Sequence, residues 1–390
     1  MRIVDVCEFY APEGGGVRTY VHAKLKAAAA AGHRLVVIAP GPADHVADFP
    51  GDCRLVTVKS PPLPFDRRYA MFWDARPVHA ILDAERPDIL EASSPWRGAW
   101  IAAEWQGAAV RSLFMHHDPL SAWAYRWFDG FVARDQVDRH FEWFWRYLRR
   151  MCARFPIVVC AAPSLSGRLA AGGIAGTMTI PMGVDGGVFS PAHRDETLRA
   201  SLLDRCNLDP QATLVLGIGR HTPEKRWPVV IDACTMVAAE RPLGLVLVGD
   251  GIHRKRVLEA IGGNPHITAL APTHDRALLA RLMASADMLA HGSAAETFGL
   301  VTAEARASGL PLILPDEGAA NDLADPAYAE TYRTGDRRAA ADAIRRMLAR
   351  DPATLRRATG AAAAAARTLD EHFIDLFDSY AMMLERRQAA

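Results

Sequence analysis

The chain is organised as two successive series of short apolar runs, each run followed by a stretch with helical spacing. The first series opens with a strand at 2–7. A Gly/Pro-rich turn follows at 11–16, then helical spacing over 17–31. Gly32 suits the residue after a helix, and 34–39 reads as the next strand. Further strands are expected at 54–58, 89–91, 110–115, 156–160 and 177–180, with helical stretches between most of them. A second series begins near residue 212. Its strands fall at 213–218, 243–248, 266–270, 287–291 and 311–314, and its helices at 224–240, 252–261, 275–285 and 299–308. Alternation of this kind builds crossover connections, so the strands run parallel and both sheet faces are covered.

The expectation is therefore an α/β protein of two Rossmann-like doubly wound domains, 1–185 and 186–368, with a terminal helix at 369–390 returning to the first. The join at 181–191 is rich in Gly and Pro. Composition narrows the class. Lys plus Arg is 45 and Asp plus Glu is 45, which excludes a binder that runs on excess cationic charge, so no nucleic-acid partner is expected. The six cysteines, Cys7, Cys53, Cys152, Cys160, Cys206 and Cys234, form no CxxC pair and mostly sit in apolar runs. They read as buried thiols in a reducing compartment. No signal peptide is read at the start, and no apolar run reaches the roughly 20 residues of a membrane helix. A cytoplasmic protein is expected, at most peripheral at the inner face of the membrane.

Ligands of parallel sheets bind outside the carboxyl ends of the strands, so the loops after strands carry the chemistry. Gly14, Gly15 and Gly16 precede the first helix, where open amides attract phosphate. This is no GxGxxG fingerprint, because Thr19 stands where the last Gly would be, and a plain turn reads equally well. Arg220 and Lys225 lie five residues apart at the start of an expected helix. Two cations there repel each other and oppose the helix dipole, costs that a bound dianion relieves. Gly249-Asp250-Gly251 makes a tight turn that could approach a nucleotide. The fourth loop runs from His291 through Glu296, Thr297, Phe298, Gly299 and Leu300 into a helix carrying Glu304. Two carboxylates so placed could face one cleft and grip paired hydroxyls, as on a ribose or hexose.

Together these loops resemble the retaining glycosyltransferases of the GT-B fold, family 4. The Glu296-x7-Glu304 pair with its embedded Phe298-Gly299-Leu300 is similar to that family's signature. Phe9-Tyr10-Ala11-Pro12 before the triple glycine, Gly32-His33, Gly183-Val184-Asp185 with Phe189 and Pro191, Gly219-Arg220 with Pro223-Glu224-Lys225, and Gly309-Leu310-Pro311 fit in order along nearly the whole chain. Met182, Arg226, His291, and Ala319 to Asp322 depart from the pattern, which bears on fine donor contacts.

The resemblance implies two domains facing across a cleft, and transfer of a hexose from a UDP- or GDP-sugar to an acceptor hydroxyl with retention. It implies no metal and no other cofactor. Arg220 and Lys225 would hold and stabilise the departing diphosphate. Glu304 would bind the ribose, and Glu296 the donor sugar. Thr297, Phe298, Gly299 and Leu300 would lie along sugar and phosphate, Gly249, Asp250 and Gly251 would line the donor site, and Gly15 and Gly16 would close on the phosphates. A catalytic histidine follows an N-domain strand in the family; His116 and His117 both fit, His116 the better, with Asp118 beside them. Arg18 and Asp118 are the acceptor-side candidates. The segment 123–155 is dense in aromatics and arginines, which suits either internal packing, an acceptor groove, or peripheral contact with an anionic membrane and a lipid-linked acceptor. Saccharide and small-metabolite acceptors fit as well.

Other classes fit less well. A nucleotide-sugar epimerase needs further acid/base carboxylates, a phosphorylase a pyridoxal phosphate lysine, and neither is identified. A catalytically dead nucleotide-sugar binder would not need intact Arg220, Lys225, Glu296 and Glu304. A Rossmann dehydrogenase lacks its glycine fingerprint.

Overall fold

The structure is a computed structural model that describes residues 1–12, 16–64, 66–116 and 134–389, with the side chains of Asp66, Arg68, Arg134 and Asp135 left aside. The chain divides into two compact units. One takes the described residues of 1–118, Arg134–Pro181 and the chain from Leu369 onward; the other takes Met182–Thr368.

In the first unit the strands are β1 (Arg2–Cys7), β2 (Arg34–Gly41), β3 (His45–Phe49), β4 (Cys53–Lys59), β5 (Pro62–Leu63), β6 (Asp66–Ala70), β7 (Ile89–Ser93), β8 (Val110–Met115), β9 (Ile157–Cys160) and β10 (Thr177–Thr179). Eight of them form one sheet in the order β10-β9-β8-β7-β1-β2-β4-β3. All its pairs are parallel except β3 with β4. The central strands are buried nearly throughout, as strands covered on both faces must be. Register sets Asp5 of β1 beside Glu91 of β7. Two buried carboxylates side by side need a cation, and Lys24 of the helix Gly16–Ala30 supplies it. Its Nζ lies 3.0 Å from Asp5 and 2.6 Å from Glu91, with all three side chains fully buried. Burial and Asp5 push the Glu91 carboxyl up to about 7 against the pull of Lys24.

The helix Leu369–Gln388 packs in this same unit. Phe373, Leu376, Phe377 and Tyr380 are buried, the Tyr380 hydroxyl donates to Glu91, and His372 Nδ1 lies 3.0 Å from the Pro181 carbonyl. The second unit holds β11 (Thr213–Ile218), β12 (Leu243–Val248), β13 (Ile267–Leu270), β14 (Met288–Ala290), β15 (Leu312–Pro315) and β16 (Ala329–Tyr332). They form one parallel sheet in the order β13-β12-β11-β14-β15-β16. Trp227, Ile231, Leu245, Leu247, Ile313 and Ile344 belong to one of its cores.

Several features differ from the sequence expectation, the short β5–β6 pair among them. The edge strand β3 alternates half-buried and exposed residues, so it carries no apolar run to mark it. β16 is short and polar at Glu330, which is held by Arg346 and Arg350. The helix expected from 224 begins instead at Trp227 and ends at Ala238. Pro223–Lys225 forms a separate 3-10 turn, and Arg226 takes a left-handed φ of 47° between the two. Pro228 has no N–H to give to the preceding turn, so it starts a helix and does not continue one. None of the six cysteines is in a disulfide, and all six are buried. Among the described residues no helix is long and apolar enough to cross a membrane.

Candidate active site

The loops after β11, β12, β14 and β15 pack backbone against backbone, and glycines make that possible. A Cβ on Gly249 would meet the Gly219 carbonyl oxygen at 2.0 Å, and one on Gly251 would meet the His221 carbonyl oxygen at 2.7 Å. A Cβ on Gly292 would meet the Lys225 carbonyl oxygen at 2.5 Å, and one on Gly318 the Ala294 carbonyl oxygen at 2.2 Å. Gly249 and Gly251 thus let their loop pack closely against the loop after β11. Hydrogen bonds close the contact: His221 N donates to Asp250 O at 2.7 Å, and His253 N to His221 O at 2.8 Å. Asp250 itself faces outward, its carboxylate accepting from Gly251 N and lying 3.8 Å from Arg254.

This packing brings Lys225 and Glu296 together. Lys225 Nζ donates to Glu296 Oε1, with side chains 12% and 19% exposed. His291 Nε2, from the end of β14, lies 3.3 Å from the same oxygen. Burial works against ionisation of Glu296, but Lys225 and His291 together hold its carboxyl well below the usual range. Arg220 is mostly exposed, 3.6 Å from Glu224. A lysine ammonium has three protons to donate, so Lys225 can keep Glu296 and still take an anion. Thr297 is half-buried and Phe298 buried. Gly299 caps the helix Leu300–Ala307 at a φ of 80°, a conformation that favours glycine, and the first turn of that helix, starting at Leu300, presents open amides.

Glu304 belongs to a different cluster. Arg276 Nη1 donates to its Oε1 at 2.8 Å, and Arg276 Nη2 donates to Asp185 at 2.7 Å. Burial raises the Glu304 pKa, opposed by Arg276, and Asp185 adds to the rise. The two carboxylates of the Glu296-x7-Glu304 pair therefore sit in separate ion-pair clusters. Sequence reasoning did not find Arg276. It follows the capping Asp275 and pairs across 28 and 91 positions, with no local signal. His291 was visible only as a departure from the family pattern.

In the first unit, His116 follows β8, its Nε2 3.3 Å from Ser93 Oγ. Its ring packs on Phe114 at 4.5 Å and edge-on to Tyr20 at 4.9 Å. His117, Asp118 and Gly15 lie outside the described residues. Gly16 begins the first helix, and Arg18 is exposed on it. Burial and the neighbouring Arg18 together lower the His22 pKa. In the described part of 123–155, Phe144 and Trp145 are buried within the helix Glu142–Cys152, while Trp143 is 59% exposed. Trp145 Nε1 donates to Asp138 at 3.1 Å.

Comparison with known proteins agrees with this architecture. A model described as Glycosyltransferase Family 4 matches residues 14–186, and one described as Glycosyl transferases group 1 matches residues 212–350. The chain is 30% identical over 346 residues to a GDP-mannose-dependent alpha-mannosyltransferase of Mycobacterium tuberculosis, covering 86% of this chain and 83% of that protein. It is 28% identical, over 86% of its own length and 87% of the other's, to a GDP-mannose-dependent alpha-(1-6)-phosphatidylinositol dimannoside mannosyltransferase of the same species. In fold it is similar to sucrose-phosphate synthase from Thermosynechococcus elongatus, with a TM-score of 0.78 at 22% identity over 99% of this chain and 100% of that one. Family models, relatives and fold together make this a nucleotide-sugar glycosyltransferase of the GT-B class. The chain belongs to glycosyltransferase family 4.

Proposed function

We propose that this enzyme transfers mannose from GDP-mannose to an acceptor hydroxyl, with retention and without a metal ion. The observation that carries the reading is the Lys225–Glu296–His291 cluster beside the open end of the helix Leu300–Ala307. Lys225 and the exposed Arg220 supply positive charge for a departing diphosphate, the part a divalent ion plays elsewhere. Glu296 stays ionised and fixes the lysine. The buried Glu304, held by Arg276, presents a carboxylate suited to ribose hydroxyls.

The choice of GDP-mannose rests on relatives that match most of the chain and are described as GDP-mannose-dependent. Their products are described as alpha-linked, and an α-linked donor giving an α-linked product is retention. The departing phosphate would help deprotonate the acceptor hydroxyl on the same face. His116 would stabilise the oxocarbenium-like transition state and would not act as a nucleophile. A phosphatidylinositol mannoside is the first acceptor to test.

Calorimetric titration with GDP, UDP and ADP, followed by turnover of GDP-mannose in EDTA, tests the reading. GDP should bind at least about tenfold more tightly than the others, a difference of about 1.4 kcal/mol. Preference for UDP or ADP, or loss of turnover in EDTA that Mg2+ restores, would overturn it.

A further inference from the structure

A histidine is a defined chemical tool only when its tautomer is fixed, and the hydrogen bond at one ring nitrogen decides what the other presents. His116 Nε2 meets the Ser93 hydroxyl at 3.3 Å. Ser93 Oγ is also 2.8 Å from Asp5 Oδ1 and 3.5 Å from Glu91 Oε1. A hydroxyl has one proton to give. It goes to the nearer, charged acceptor, since bonds to an ionised group are shorter and stronger. Lys24, 3.0 Å from the other oxygen of Asp5, sets a positive charge against that carboxylate. Ser93 and Asp5 are buried to 1% and 0% exposure, which keeps solvent from satisfying either group.

With its proton committed to Asp5, Ser93 Oγ can only accept from His116. We propose that Ser93 is a positioning residue that fixes His116 as the Nε2–H tautomer, with Asp5 and Lys24 acting through it. The backbone holds the two partners in place. Ser93 pairs with Phe114 across β7 and β8, and the next residue, Ser94, donates its N–H to the Phe114 carbonyl at 2.8 Å. Ser94 does so in the left-handed region, at a φ of 80°, a conformation a serine adopts only where its surroundings impose it. Packing of the ring against Phe114 and Tyr20 removes its remaining rotation. When neutral, the ring then carries its lone pair on Nδ1. Such a ring accepts a hydrogen bond, or faces a cation, at Nδ1 and has no proton to donate there.

The chemical role of His116 rests on the function proposed above; its tautomer does not. The test uses the full chain labelled with nitrogen-15 histidine, one of 14 such residues, with His116 resonances identified by their loss in His116→Gln. Wild type should show the Nε2–H pattern. Ser93→Ala should shift His116 toward a mixture of tautomers, and Ser93→Thr should restore it. With GDP-mannose as probe, Ser93→Ala should lower kcat by about tenfold or more with KM changed less than about twofold, as expected for a misoriented group whose interaction is made in the transition state. An Nδ1–H pattern in wild type, or unchanged His116 resonances in Ser93→Ala, overturns the proposal. Full turnover in His116→Gln would remove the catalytic reading alone, because the nitrogen spectrum decides the positioning independently.

Discussion

Lys225 and Glu296, 71 positions apart in sequence, form an ion pair that joins the loop after β11 to the loop after β14. Each side chain was expected to touch a different part of the donor. In the proposed reaction this pairing anchors the cation for the leaving group before any substrate arrives, which lowers the cost of organising it.

Lys225→Met should reduce kcat for GDP-mannose turnover by about 100-fold or more, the scale of losing one preorganised charge donor. It should also move acid denaturation. Glu296 has a folded pKa below its unfolded one, so its stabilisation is present above the unfolded value and is lost as pH falls through the folded one. Without Lys225 the folded value rises toward the unfolded one, so less stability from this group is lost on acidification. Thermal denaturation of both proteins from pH 3 to 7 shows whether the acid limb becomes shallower; an unchanged slope contradicts the assignment.

Glu304→Gln should weaken GDP binding by about tenfold, within the range for a charged hydrogen bond, and leave the affinity for pyrophosphate nearly unchanged. Titration with both ligands separates a ribose contact from a phosphate one. Equal losses would place Glu304 elsewhere in the site.

Glu91 makes a pH-dependent contribution of the opposite sign. Its folded pKa is raised to about 7, so the folded state binds its proton more tightly than the unfolded state does. From this group, stability is greatest below the unfolded carboxylate value and declines as pH rises toward about 7. Glu91→Gln should flatten that slope between pH 5 and 8 in chemical denaturation.

Two glycine substitutions should act in opposite directions. Gly249→Ala drives a Cβ to 2.0 Å from the Gly219 carbonyl oxygen. It should cost about 1–3 kcal/mol and lower the melting temperature. Gly167→Ala, in the helix Pro163–Ala171, meets nothing within 4 Å and should gain about 0.4–1 kcal/mol. A melting curve for each variant checks both signs.

What could be read from the sequence follows from what burial writes into it. β11 coincides with its expected span because a strand covered on both faces is a nearly continuous apolar run, and β8 does so despite Arg111 and Ser112 because its other four residues are apolar. β3 escaped because an edge strand needs no such run. Gly249 and Gly251 were visible as a tight turn open to close approach, but not their packing against the Gly219 and His221 carbonyls of the neighbouring loop. Lys225 and Glu296 were visible singly, while their pairing is a property of the fold. Arg276 with Asp185, and Ser93 with His116, join residues whose local sequence carries no trace of the partner.

The Tyr380–Glu91 contact spans 289 positions and closes a fully buried cluster of charges. On a ribosome, Asp5, Lys24 and Glu91 emerge early, and the side chain that completes their burial arrives only after the whole of Met182–Thr368 has been made. The long stretch Met182–Thr368 of the second unit is unbroken in sequence and can fold while the first unit still waits with its core unsealed. A nascent chain of this enzyme thus matures out of order, its beginning last, and any copy cut short before Tyr380 carries an open core that chaperones and proteases can recognise.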